Sequence, residues 1–476
     1  MTTILLPSLQ QRPKKIYVVG LGITGLAAIA SLRAAGCAVV AFDDNETNRQ
    51  AASGVPLLDP KDWQASDGID LLLLSPGIVA DPSPHKQVHP AARRARELGV
   101  PISVDIDILF QEWRQQRDFI FITGTNGKST TTKLTTHILA AAKNPRLIAM
   151  GGNIGAAALS LPRLATGGCY VLELSSYQLE RMIDPVPTLA VLLNLSVDHL
   201  ERHGTMAHYL HIKTRIFESS ITGQRPQLSI IGVDDVYCRA YYEKNKERLG
   251  LVPISGLTLP TGGVGPRATQ TGGQELIDDR GGRKLVVGTL PLHPQLVGPH
   301  NTQNIAATYL LANHYGIGAQ QFRTLMQNFT PLRHRQEFIA TISGVDYIND
   351  SKATNAQAAL MSLFSFGRRP IYWLAGGELK QGDNLADLAT AKAHITKGYF
   401  FGAGAQTLAK QLESSMAVAT FANLATALTA AHHDAQDNAH HAESGKGAVV
   451  LLAPVGASFD QYKNFEERGD DFKNLV

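Results

Sequence analysis

The chain has 476 residues, 44% of them hydrophobic and 18% charged, with a formal net charge of +3. This length and composition suit a globular protein of about three domains. Without a dense Lys/Arg stripe it excludes a nucleic-acid binder, and no apolar run approaches a membrane span. The three cysteines, Cys37, Cys169 and Cys238, are isolated and fit no metal-ligand spacing. They read as reduced thiols of a cytoplasmic protein.

Residues 1–15 place an apolar patch before basic residues, the reverse of a secretory signal, and read as a short leader to the first strand. Ile16–Val19 is an apolar strand. It runs into Gly20-Leu-Gly22-Ile-Thr-Gly25 and a helix of small residues, Leu26–Ala35. A second strand, Ala38–Phe42, ends at Asp43. Strand, glycine turn, helix, strand and terminal acid form a nucleotide-binding unit: the glycines admit a pyrophosphate, and the acid can accept from a ribose hydroxyl. A buried strand, Leu71–Leu74, leads into Ser75-Pro-Gly-Ile78. Its free amides lie at the sheet edge where open α/β folds bind ligands, although a plain turn explains the same residues.

After Pro101–Val104 and a connecting helix up to Gln116, the run Phe119-Ile-Phe-Ile-Thr-Gly-Thr-Asn-Gly-Lys-Ser-Thr-Thr-Thr132 is the most informative in the chain. A buried strand feeds a glycine loop, and Lys128-Ser129-Thr130 opens a helix. Free N–H groups at a helix start plus one ammonium make a phosphate cradle, and the Ser129 hydroxyl is placed for magnesium. The spacing Gly124-x-x-Gly127-Lys128-Ser129 is two residues shorter than the usual Walker loop. The residues Gly124, Thr125, Asn126, Gly127, Lys128, Ser129 and Thr130 are therefore predicted to hold a nucleoside triphosphate.

Alternation continues: helix Lys128–Ala142, then strands near Leu147–Met150, Tyr170–Leu174 and Leu189–Leu193, helix His208–Phe217 and strand Leu228–Ile231. This predicts a mostly parallel sheet between helices. Ser255–Lys284, rich in Gly, Thr and Pro, reads as a surface excursion with short hairpins. Helices return at Asn301–Tyr315 and Ala319–Asn328. Further strands are expected at Val345–Ile348, Ile371–Ala375, Gly398–Phe401 and Ala448–Leu452, with helices between. His432–His441, with four histidines, reads as a solvated loop rather than a metal site. The expected class is α/β with three domains: a Rossmann-like unit at 1–104, a P-loop ATPase domain with a mostly parallel sheet at 105–331, and a Rossmann-like α/β domain at 332–476.

Glu173 ends one strand, Asp198-His199 follows another, and Lys213 lies in the next helix. In a parallel sheet all these strand ends open on the edge that carries the phosphate loop. A carboxylate there can ligate the magnesium that bridges phosphates, and His199 is either a ligand or a proton carrier. Taken alone, Lys213 reads as an exposed helix lysine, solvated or paired with Glu218.

The segments Thr123–Thr130, Gly151-Gly-Asn-Ile-Gly155, Glu173-Leu-Ser-Ser-Tyr-Gln-Leu-Glu180, Asp198-His199, Gly298-Pro-His-Asn-Thr-Gln-Asn304, Leu332-Arg-His-Arg335, Asn349-Asp-Ser-Lys-Ala-Thr-Asn355 and Ala453–Gly469 resemble the Mur ligase family, over essentially the whole chain. The glycine start, Ser75-Pro-Gly-Ile78 and Ser458–Gly469 are most similar to the branch that joins D-glutamate to UDP-N-acetylmuramoyl-L-alanine. The Asp-Asn-Pro-Arg motif of the diaminopimelate- or lysine-adding branch is absent. One departure is Val455, where a smaller residue is expected.

The resemblance implies a cytoplasmic, monomeric, ATP-dependent ligase of peptidoglycan precursor synthesis that uses two magnesium ions and passes through an acyl phosphate. It implies that Lys128, Glu173, His199, Lys213 and Lys352 serve catalysis. Ser129, Glu173, His199 and a carbamylated Lys213 would organise metal; Asn304, Arg335 and Asp350 would contact nucleotide. For the UDP-sugar it implies Ile23, Thr24, Asp43, Ser75, Gly77 and Asn153, with Ser175 and Gln178 near the reacting carboxylate. Thr354, Lys380, Ser458 and Phe465 would form the glutamate pocket. Three alternatives remain at this point: a nicotinamide oxidoreductase, suggested by the glycine turn and Asp43; a folate-type polyglutamate ligase; and a non-catalytic nucleotide-gated protein.

Overall fold

The computed structural model describes residues 6–82, 87–142, 147–367, 369–379, 384–439 and 447–476. The chain divides into two compact units. The first comprises Met1–Leu195, His199–Ile254 and Ala307–Phe322; the second comprises Ser196–Asp198, Ser255–Ala306 and Arg323–Val476.

The first unit contains two parallel sheets. In one, β1 (Lys15–Val19) lies between β2 (Ala38–Phe42) and β3 (Leu71–Leu74), and β4 (Ile102–Ser103) extends β3. In the other, β5 (Asp118–Thr123) is flanked by β7 (Cys169–Glu173) and β8 (Leu189–Leu192). β6 (Ile148–Gly152) pairs with β7, β9 (Leu228–Gly232) with β8, and β10 (Leu251–Ile254) with β9. Phe119, Ile120, Phe121 and Ile122 are all fully buried, as a strand covered on both faces requires. Phe119 stacks on Tyr170 at 5.1 Å between ring centroids and meets Phe110 edge-on at 5.0 Å.

In the second unit, β11 (Val264–Ala268), β12 (Gln274–Asp278) and β13 (Leu285–Leu290) form successive antiparallel hairpins. The expected excursion is thus ordered structure. A second sheet runs β14 (Glu337–Ile342), β15 (Val345–Asn349), β19 (Val449–Val455), β16 (Ile371–Gly376), β17 (Ile395–Phe401), β18 (Val418–Phe421), with only β14 antiparallel to its neighbour.

The sequence reading missed β10, β14, β18 and the helix Val236–Leu249. That helix is mostly polar and buries only Cys238 and Leu249. Its start signal is Asp235, whose carboxylate accepts from the amides of Tyr237 and Cys238. The histidine tract needs correction as well: it lies partly in the helix Leu424–Ala439, with the rest outside the described residues. His432 Nδ1 is hydrogen-bonded to the Tyr347 hydroxyl, so the side chain is anchored on the sheet rather than solvated. Among the described residues, no helix is long and apolar enough to cross a membrane.

Candidate active site

β5 delivers its last residue, Thr123, to the sheet edge, where its hydroxyl donates to the Leu174 carbonyl at 2.8 Å. The chain then turns through Gly124 (φ +149°) and Gly127 (φ +86°) before the helix Lys128–Ala141 begins. These backbone angles favour glycine, and at Gly124 a Cβ would lie 3.1 Å from that of Leu193. The loop is held from beside. Thr125 N donates to the Asn194 carbonyl at 2.8 Å, Asn126 N donates to Asn194 Oδ1 at 2.9 Å, and Asn194 Nδ2 donates back to Asn126 O at 3.2 Å. Lys128 folds over the loop, its ammonium donating to Gly124 O at 3.0 Å and Thr125 O at 2.7 Å. A phosphate bound at the helix start would compete with those carbonyls for the same ammonium. Ser129 and Thr130 are buried beneath it.

Glu173 ends the neighbouring strand and is 2% exposed. Its Oε1 accepts from Asn153 Nδ2 at 2.8 Å, and Asn153 N donates to the Glu173 carbonyl at 2.9 Å. Gly152, at φ +97°, permits this approach, because a Cβ there would sit 2.3 Å from Glu173 O. Glu173 Oε2 is buried with no hydrogen-bond partner among the described residues. A buried carboxylate oxygen left bare is costly unless something cationic meets it. The donor chemistry here fits a hard divalent ion.

His199 takes a left-handed backbone (φ +56°) at the start of the helix Leu200–His203, and its Nδ1 is 3.0 Å from the Tyr177 hydroxyl. Lys213, on the helix Met206–Thr214, is 1% exposed, which overturns its reading as a solvated surface lysine. Its ammonium donates to Thr123 Oγ1 at 3.1 Å and Gly124 O at 3.0 Å, and lies over the Tyr209 ring. Glu218 is taken instead by Arg225 and Arg248. Lys213 thus converges with Lys128 on the Gly124 carbonyl, at the foot of the phosphate loop.

The glycine turn after β1 behaves as its pattern predicts. Gly25 packs so tightly that a Cβ would stand 1.9 Å from the Gly20 carbonyl oxygen. Asp43 braces the turn, accepting from Leu21 N at 2.6 Å and Asn45 N at 2.8 Å. Ser75 Oγ donates to Gly20 O at 3.0 Å. Thr24 is half-buried, whereas Ile23 and Gly77 are exposed at the same rim. Ser175 and Gln178 form a capping box: the Ser175 hydroxyl accepts from Gln178 N at 3.2 Å, and Gln178 Oε1 accepts from Ser175 N at 3.0 Å.

In the second unit, Asn304 is buried and its Nδ2 donates to Asn301 Oδ1 at 3.2 Å. Asp350 follows β15. Desolvation pushes its carboxyl up to about 6, opposed by the Ser362 hydroxyl, the Arg335 guanidinium and the Gln336 amide. Lys352 lays its ammonium 3.9 Å from the centroid of the Phe465 ring. Phe465 O accepts from Ser351 Oγ at 2.8 Å, and Ser458 O accepts from Tyr462 N at 2.8 Å. Thr354 N donates to the Lys352 carbonyl at 2.8 Å. Asp350, Lys352 and Thr354 follow β15 and Ser458 follows β19, at the C-terminal ends that form the binding edge of a parallel sheet. Val455 is fully buried with φ +68°, a conformation that costs a side-chain-bearing residue about 1–2 kcal/mol. A smaller residue would sit there with less strain. Lys380 lies outside the described residues.

The Mur ligase middle domain matches residues 122–312, which begin at the end of β5 and run through Asn304. A UDP-N-acetylmuramoylalanine–D-glutamate ligase of Rhodospirillum rubrum is 40% identical over 483 residues, spanning 99% of this chain and 96% of that protein. The chain belongs to the Mur ligase family. A ligase of the same description from Paramagnetospirillum magneticum is 39% identical, with 97% and 96% covered. The UDP-N-acetylmuramate–alanine ligase of Thermotoga maritima shares the fold, with a TM-score of 0.56 at 18% identity over 97% of this chain and 98% of that one. Three-domain α/β architecture is thus that of the Mur ligases.

Within each unit of this Mur ligase, residues that support the candidate site residues were not singled out from the sequence. Asn194 supports the phosphate loop. Arg181 donates to Ser75 O at 2.8 Å and also to Ile78 O, tying the first sheet's binding rim to the helix after β7. Arg468 is fully buried and donates to Ser351 Oγ, Ser351 O and Gly456 O at 3.0, 2.9 and 3.1 Å. The signal for Arg468 was available: it lies on its helix between Phe465 and Phe472, and an arginine on such a face needs carbonyls to meet it.

Proposed function

We propose that this enzyme is an ATP-dependent ligase that joins D-glutamate to UDP-N-acetylmuramoyl-L-alanine during peptidoglycan precursor synthesis. The observation that carries the reading is the phosphate loop, with Lys128 at its mouth, set in the same sheet edge as the bare Glu173 oxygen and the buried Lys213. Full-length identity of about 40% to ligases of that description supports the choice of substrates. Magnesium supplies charge neutralisation on the phosphates when bound, and Ser129, Glu173 and His199 are the residues that would hold it. We infer two ions, with a carbamate on Lys213 serving the second. Its neutral amine adds to carbon dioxide and releases one proton, turning a buried cation into an oxygen donor.

The substrate carboxylate attacks the γ-phosphorus, the bond to the ADP oxygen breaks, and an acyl phosphate results. The glutamate amine then attacks the acyl carbon, losing a proton, and inorganic phosphate leaves. Such phosphoryl transfer depends on alignment and charge stabilisation more than on covalent help from the protein. We assign Lys128 and the amides of Gly124–Thr130 to the phosphates, and Asn304, Arg335 and Asp350 to the nucleotide. Ile23, Thr24, Asp43, Ser75, Gly77 and Asn153 are assigned to the UDP-sugar, and Ser175 and Gln178 to the region of its carboxylate. Their capping box supports a role exerted through the backbone and helix start. Thr354, Lys380, Ser458 and Phe465 are assigned to glutamate, with Lys352 adding positive charge.

We further propose the domain spans 1–104, 105–331 and 332–476, carrying β1–β4, β5–β13 and β14–β19 respectively. A monomer is proposed, because one chain supplies every residue named. A cytoplasmic location is supported by three buried free cysteines. The deciding experiment measures phosphate release with UDP-N-acetylmuramoyl-L-alanine, ATP and each glutamate enantiomer. Release that requires D-glutamate is expected. Release without it, or none with any acceptor, removes the reading.

A further inference from the structure

The segment His334-Arg335-Gln336 has an unusual backbone. His334 (φ +60°) and Gln336 (φ +47°) are both left-handed, on either side of Arg335. Two such non-glycine residues in three carry a conformational cost, so surrounding contacts must hold them there. At Gln336 those contacts form a directed chain. Asn304 Nδ2 donates to Asn301 Oδ1, and Asn301 Nδ2 donates to Gln336 Oε1 at 3.3 Å. Gln336 Nε2 donates to Ser365 Oγ at 2.7 Å and Ser362 Oγ at 3.4 Å. The Ser362 hydroxyl and the backbone N–H of Gln336 both face the Asp350 carboxyl, so the carboxamide itself reaches Asp350 only through Ser362. Gln336 is 6% exposed, so its carboxamide is committed to these partners and not to water. Gly298 completes the arrangement: any Cβ there would come within 2.5 Å of Ser365 Oγ.

We propose that Gln336 is a positioning residue for the nucleotide, its one buried carboxamide joining the Asn301–Asn304 pair to the Ser362 hydroxyl that faces Asp350. The inference rests on the assignment of Asn304, Arg335 and Asp350 to ATP. A single side chain meets the Asn301 amide on one helix and the Ser362 hydroxyl beside Asp350 on another. The nucleotide thereby meets a prearranged pair of polar groups, and less ordering remains to be done on binding.

The discriminating variant is Gln336→Met. Methionine keeps the length and volume but removes both ends of the carboxamide, so a role in packing alone survives the change. Calorimetry with Mg·ADP on the full chain should show affinity reduced roughly tenfold or more, the scale of a buried network left open. Affinity for UDP-N-acetylmuramoyl-L-alanine should stay within twofold of the parent. Ser365→Ala, a milder change at the outer end, should weaken Mg·ADP about threefold, and the double variant should lose no more than Gln336→Met alone. The coupling of the two sites then appears as non-additivity. Mg·ADP affinity within twofold of the parent in both single variants overturns the proposal, and so does an equal loss for both ligands. D-glutamate-dependent phosphate release by the parent tests the reaction separately, so failure of the ligase reading and failure of this one look different.

Discussion

Asn153 donates its amide to one oxygen of Glu173 and leaves the other buried and bare. The pairing fixes the carboxylate's rotation and leaves Oε2 buried with no hydrogen-bond partner among the described residues. Glu173→Gln keeps the shape and removes the charge. Turnover should fall by about a hundredfold or more, on the scale seen when one preorganised electrostatic group is lost. Mg·ADP should bind no more tightly than ADP without metal. Calorimetry with and without magnesium checks this; an undiminished metal effect would place the ion elsewhere.

Lys213 and Lys128 share the Gly124 carbonyl, and two ammonium groups on one acceptor repel each other. Carbamylation of Lys213 would convert that repulsion into attraction. Lys213→Ala should therefore be nearly inactive, yet recover partly when formate or acetate is added to occupy the vacated space. Lys213→Arg, which cannot form a carbamate, should not recover. Phosphate release measured across a carboxylate titration reads the outcome, and full activity of Lys213→Ala without additive defeats the idea.

The legible parts of this chain were those where chemistry and backbone demand coincide. Gly25 and Gly124–Lys128 could be read because few other residues satisfy both the turn and the ligand. Apolar strands such as Phe119–Ile122 could be read because burial on both faces leaves little choice. The helix Val236–Leu249 was missed for the opposite reason: its polar surface gives no periodic signal, and only its cap announces it. Lys213 was misjudged because nothing local marks a helix lysine as buried; Thr123 and Gly124, whose hydroxyl and carbonyl accept from its ammonium, come from distant sequence. Gln336 was invisible for a related reason, since its partners Asn301, Ser362 and Ser365 meet only in the folded unit.

If Asp350 contacts the nucleotide as proposed, its raised carboxyl should make nucleotide binding pH-dependent. Its folded carboxyl is raised from 3.8 to about 6, so between those values the fold holds a proton that the unfolded chain has released. Stability from this group is present at low pH and is lost as pH rises from 3.8 through 6. Function runs the other way, because only the ionised carboxylate is a full acceptor for a ribose hydroxyl. Mg·ADP affinity should therefore rise between pH 5 and pH 7. Asp350→Asn should flatten that rise while lowering affinity at neutral pH. Calorimetry across this range decides it, and an unchanged slope in Asp350→Asn would assign the titration to another group.

The glycine turn of the first sheet offers the sharpest separation between the two nucleotides this enzyme handles. At Gly25 a methyl group would stand 1.9 Å from the Gly20 carbonyl oxygen, far inside contact distance. Gly25→Ala must push the helix Ile23–Ala34 off the turn, and such overpacking costs about 1–3 kcal/mol. Displacing the helix start moves the backbone that would face the UDP pyrophosphate, and it disturbs the Asp43 contact to Leu21 N. UDP-N-acetylmuramoyl-L-alanine affinity should fall at least about tenfold, whereas Mg·ADP affinity, for which the loop after β5 is proposed, should be unchanged. Gly22→Ala provides the contrast, since a methyl group there meets no atom within 4 Å. It should be tolerated unless the ligand itself approaches that backbone; a loss confined to UDP-substrate binding in Gly22→Ala would locate the pyrophosphate directly against it. Equal losses of both nucleotides in Gly25→Ala would mean that the turn supports the whole first unit and is not specific to the UDP-sugar.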